Sequence, residues 1–112
     1  MKARQCYLAA ETIAAVIDEA DVSDAYVTLC VHAGIAAADV ICCAKLGAHT
    51  TGQRHADAVA LLATADRALA RHLNTLLTMK TRSGYSPTLA SVPDQRRAGR
   101  AAAAMLLAAE AV

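Results

Sequence analysis

The stretch from Asp24 to Leu46, DAYVTLCVHAGIAAADVICCAKL, decides the fold. Tyr26, Leu29, Cys30, Ala33, Ala37, Val40, Ile41 and Ala44 recur at steps of three and four, the period of one helical face. Before it, Asp21, Ser23 and Asp24 offer short polar side chains able to cap a helix start. After it, Gly47 is free to take the left-handed backbone that ends one. The spacing predicts a helix over 24–46. Its longest run without a charged residue, Ala25 to Ala38, has 14 residues. A bilayer needs about 20. The reading therefore expects no membrane span and, with no basic-then-apolar leader, a cytoplasmic protein.

The same period extends outward in both directions. A first helix is expected from Arg4 to Ala20, with Cys6, Ala9, Ile13, Val16, Ile17 and Ala20 inside. A short one is expected from Gln53 to Thr64, with His55, Val59 and Leu62 facing inward. The next begins near Asp66 after at most a kink and reaches Arg82. Leu69, Leu73, Leu76 and Leu77 form its inner stripe, which Lys80 continues. Ser83 to Pro87 reads as a loop, since proline blocks continuation. Ser91 and Asp94 resemble a capping box for a last helix reaching Ala111, with Ala98, Ala101, Ala102, Met105 and Ala109 inside.

Composition agrees with that pattern. The 112 residues fit one domain, spanning 1–112. Alanine occupies 29 positions, Trp and Phe none, Gly five and Pro two. Small side chains let helices approach closely, so the expected fold is an all-α antiparallel bundle of about five helices, four long and one short. Cys6, Cys30, Cys42 and Cys43 form no C-x-x-C pair. Cys42 and Cys43 project about 100° apart on a helix, unsuited to a disulfide or a shared zinc. They read as free, small apolar residues, and no metal or other cofactor is expected.

Charge is uneven along the chain. Residues 1–39 carry six acids and two bases; residues 40–112 carry nine bases and four acids. Arg67, Arg71, Thr78 and Arg82 step along one outer stripe of the fourth helix, and Arg96, Arg97 and Arg100 cluster at the start of the fifth. These arginines are candidates for contacting RNA or another anion, and their solvation as an ordinary charged face is the competing reading. Without Phe or Trp, most stacking platforms for single-stranded RNA are missing.

Asp39 stands among Ile35, Ala36, Ala37, Ala38, Val40 and Ile41. A buried carboxylate needs partners. His55, Lys80 and Tyr85 are the candidates, giving a buried polar cluster of Asp39, His55, Lys80 and Tyr85. That cluster serves either as a lock on helix register or as a site. His32, seven residues before Asp39, lies on about the same side of the helix.

The segment Ala33 to Gly47, then Gly52-Gln53-Arg54-His55, then Leu76-Leu77-Thr78-Met79-Lys80 with Tyr85, and a final alanine-rich helix make a pattern. Over residues 6–110 it resembles a group of small actinobacterial proteins with a HEPN-like helical fold. The resemblance implies a bundle of four long helices and a short one, usually a homodimer. Relatives of that kind are metal-independent ribonucleases of toxin–antitoxin or defence systems, or inactive modules that bind RNA or a protein partner. Active members use an Arg, four to six residues, then His. Arg67 to His72 fits the spacing, but Arg67 is followed by Ala68, and both lie in one helix about 140° apart. No catalytic residue is therefore assigned. The expectation is a non-enzymatic, dimeric helical module binding a protein or RNA partner. The alternative is a metal-independent ribonuclease using His55 or His72 with an arginine.

Overall fold

Long runs of Ala, Leu and other good helix formers, broken at a few capping residues, give five helices among the described residues. The computed structural model describes residues 1–16, 19–47, 55–85 and 91–112, without the side chains at 16, 19–23, 55 and 81–85. The elements are α1 (Lys2–Val16), α2 (Glu19–Leu46), α3 (His55–Ala65), α4 (Arg67–Tyr85) and α5 (Val92–Glu110). No strand occurs among the described residues.

α2 organises the bundle. Its 28 residues, at about 1.5 Å rise each, match the 40 Å long axis of the molecule. All four other helices pack against it. Burial consequently covers a broad half of its circumference rather than a narrow stripe: Tyr26, Val27, Cys30, Val31, Ala33, Ala37, Ala38, Ile41 and Cys42 are all buried. Thr28 and His32 are exposed on the opposite side, and Ala44 is exposed as well, correcting its place in the predicted stripe. Counting only uncharged residues also understated this helix. Asp24–Leu46 is 23 residues with mean hydropathy 1.9, long and apolar enough to cross a membrane. Half of its apolar window is buried inside the bundle.

The other helices close around α2. In α1 the inward positions are Ala3 and Ala10, with Cys6, Tyr7 and Ala14 half-buried against the core. Ala9, expected inside, is exposed. Alanine stands on both sides of α1, Ala3 and Ala10 inside and Ala9 and Ala15 exposed, which leaves too little contrast between faces for the period to fix every inward position. α1 also ends at Val16, and α2 begins at Glu19, earlier than the acidic cluster suggested.

Leu69, Leu73, Leu76 and Leu77 form the buried stripe of α4, as expected. Met79 then takes the buried position, and Lys80 is exposed, correcting its predicted continuation of that stripe. Three residues on from Leu76 is the inward step here, and the charged side chain is left in solvent. The helix runs on through Ser83 and Gly84 to Tyr85, where a loop was expected. Asp66 separates α3 from α4: its Oδ1 accepts from the Leu69 N–H at 3.1 Å. Its backbone still joins both helices, donating to Leu62 and accepting from Ala70. α5 begins as a cap predicts, with the Asp94 N–H donating to Ser91 Oγ at 3.2 Å. Ala98, Ala101, Ala102, Met105 and Ala109 are buried, all five as the spacing indicated.

Two glycines make the crossings possible. A Cβ on Gly34 would collide with Leu76 Cδ1, so α2 and α4 meet through the missing side chain. A Cβ on Gly99 would lie 2.5 Å from the Tyr26 hydroxyl oxygen, which fixes where α5 crosses α2.

Candidate functional site

Among the described candidate residues, the arginines of α4 and α5 are exposed to solvent, each group near the start of its own helix. Arg67 and Arg71 on α4 are exposed, and so are Arg96, Arg97 and Arg100 on α5. Thr78 is exposed on the same outer stripe as the first two. The Arg82 side chain lies outside the described residues. α4 and α5 pack against each other, and the short connection between them makes them an antiparallel hairpin. Arg97 pairs with Asp94 one turn earlier. Asp94 is itself buried in the first turn, where the helix dipole favours a carboxylate.

The proposed polar cluster is placed only in part. Asp39 is half-buried on the less covered side of α2, in helical register with Thr28 and His32. Lys80 is exposed. Among the described residues no hydrogen bond or ion pair joins Asp39 to Lys80 or to His32. The side chains of His55 and Tyr85 lie outside the described residues. The Asp39 charge is still felt locally: burial raises the Cys42 thiol above its ordinary 9.0, and Asp39 raises it further.

A hydrogen-bonded polar arrangement at the edge of the core was not anticipated. The Tyr26 hydroxyl donates to Glu11 Oε1 at 2.7 Å, tying α2 to α1. Burial first, and then that bond, push the Tyr26 hydroxyl well above its ordinary 10.0. Burial and the Glu11 carboxylate raise Tyr7 in the same way. Burial also pushes the Cys30 thiol from 9.0 up to about 12. A thiol held that high stays protonated at neutral pH and is a poor nucleophile. This group is a clamp between helices. Its sequence signal is slight: Tyr26 and Glu11 fall 15 positions apart with nothing to announce their pairing.

His72 is half-buried on α4, and Arg67 is exposed five residues earlier. Among the described residues no hydrogen bond joins them, and no three His, Cys, Asp or Glu side chains come together in a way that could hold a metal ion. Comparison with family models, curated proteins and solved structures found no match to this chain.

Proposed function

We propose that this chain is a non-enzymatic helical module that works as a dimer and holds a partner by contact. The setting we infer is a toxin–antitoxin or defence-type system, as the resemblance to HEPN-like proteins implies. One observation carries the reading: Arg67, Arg71, Arg96, Arg97 and Arg100 all stand exposed on two helices that pack together. Guanidinium groups bind phosphate by paired N–H donors and do so without desolvating a pocket. RNA is the partner these residues suit best; an acidic protein surface offers the same chemistry in weaker form.

The expected mode is backbone contact with little sequence preference, because the chain has no Phe or Trp to stack on bases. Binding of a labelled single-stranded RNA, followed by fluorescence anisotropy across a salt series, tests it. Each phosphate contact contributes about 0.7 to the slope of log affinity against log salt. Replacing Arg67 and Arg71 by alanine is therefore expected to lower the slope by about 1.4. Unchanged slope and affinity in that double variant would remove α4 from the surface. Metal-free RNA cleavage that both Arg67→Ala and His72→Ala abolish, with the fold intact, would replace this reading by the ribonuclease one.

A further inference from the structure

The exposed stripe of α5 changes character along its length. It opens with Arg96, Arg97 and Arg100, passes through the half-buried Ala103 and Ala104 to Leu107, and closes at Glu110 and Ala111. Leu107 is 73% exposed, more than any other large apolar residue described. The order of charge runs against the helix dipole, which favours acids at the start and bases at the end. Stabilisation of the helix itself therefore does not account for it.

α1 widens the apolar part. Glu110 pairs with Arg4 at 2.5 Å, while Gly99, one end of α5 away, meets Tyr26, which in turn binds Glu11. α1 therefore runs antiparallel to α5. One turn from Arg4 on α1 is Leu8, 54% exposed, at the level of Leu107 one turn back from Glu110.

We infer that this face is the contact between two copies of the chain, with α5 packed antiparallel against α5 of the second copy. The inference rests on the dimeric reading above and names its surface. Two-fold symmetry brings each patch onto itself, so an element that is basic at one end and acidic at the other complements its own copy. Arg100 of each copy then faces Glu110 of the other. Leu107 packs over the Ala103 and Ala104 of its copy, where small side chains allow close approach. The Arg4 contact uses Glu110 Oε2, which leaves Oε1 to accept from the incoming guanidinium. Arg96 and Arg97 lie before the central contact along α5 and remain available to an anionic partner, whereas Arg100 is taken into the interface.

Sedimentation velocity on the full chain over a dilution series tests this, with circular dichroism to confirm folding. Wild type is expected to dimerise at concentrations on the order of ten micromolar. Leu107→Asp, at a site open to solvent in the monomer, is expected to weaken dimerisation at least about tenfold. Arg100→Glu alone and Glu110→Arg alone are each expected to weaken it, and the two together to restore it. A dimer unaffected by Leu107→Asp would overturn the interface and leave the dimeric reading standing. A wild-type monomer at about a hundred micromolar would overturn both. Failure of the double charge exchange to restore a dimer weakened by each single change would overturn the antiparallel register.

Discussion

Gly99→Ala puts the helix crossing at the centre of the bundle to a direct test. In an isolated helix the change stabilises by about 1 kcal/mol, because alanine is the better helix former. Here the new Cβ would lie 2.5 Å from the Tyr26 hydroxyl oxygen, and 3.4 and 3.5 Å from two ring carbons. The hydroxyl donates a 2.7 Å bond to Glu11, so moving the ring aside strains or breaks that bond. Relief requires either shifting α5 away from α2, at about 1–3 kcal/mol for overpacking, or giving up the bond to Glu11, at about 1.5–3 kcal/mol for a bond to a charged group. Set against the helix gain, the net expectation is a loss of about 1–2 kcal/mol, or several degrees in Tm for a domain of this size. Tyr26→Phe removes the oxygen and leaves only ordinary contacts with the ring. In that background Gly99→Ala is expected to be neutral or stabilising. Urea unfolding of the four proteins gives the coupling energy directly. A Gly99→Ala variant more stable than wild type, with no coupling to Tyr26, would refute the crossing geometry.

Three further outcomes follow from the same packing. Leu76→Ala removes a fully buried side chain at the α2–α4 crossing and is expected to cost about 2–5 kcal/mol by urea denaturation, whereas Leu107→Ala, at a site exposed in the single chain, is expected to change stability by less than about 0.5 kcal/mol when measured below the dimerisation range. Stability is expected to fall in alkali. The Cys30 thiol is raised in the folded state, so its contribution is complete below pH 9.0 and is lost as pH rises toward about 12. Between those values it adds a slope of up to about 1.4 kcal/mol per pH unit, which Cys30→Ala is expected to remove. Asp39→Ala is expected to cost less than about 1 kcal/mol, because a half-buried carboxylate without a described partner strands nothing when removed. A loss of about 2–4 kcal/mol, eased in Asp39→Asn, would instead establish the buried lock through His55 or Tyr85.

The helices with contrast between faces were the legible ones. Four leucines at helical spacing marked the inner side of α4 as far as Leu77, and Met105 anchored the reading of α5. In α1, Cys6 and Ile13 are half-buried as the spacing indicated, but of two adjacent alanines the reading chose Ala9, which is exposed, over Ala10, which is buried. α2 was read as a stripe because a periodic pattern does not reveal how many neighbours a helix has. Four neighbours bury a broad half of it. The α4 stripe ran on to Lys80 in the sequence because steps of three and four are equally helical; the packing chose Met79. Arg67, Arg71 and Thr78, read onto one outer stripe of α4, are exposed, while the Arg82 side chain of that stripe lies outside the described residues. The Tyr26–Glu11 clamp and the Gly99 crossing were not legible. Both depend on which helices touch and at what height, which is set by tertiary packing rather than local spacing.

The claim most worth testing is that the exposed arginines make this chain an RNA-holding module without cleavage. One experiment reads both halves: fluorescence anisotropy of a labelled RNA in chelator at low salt, followed by denaturing electrophoresis of the same samples. The account predicts saturable binding that weakens steeply with salt, a shallower salt dependence in the Arg67→Ala, Arg71→Ala double variant, and RNA recovered at full length. Absence of binding at low salt, or cleavage that disappears when Arg67 or His72 is replaced, would contradict it.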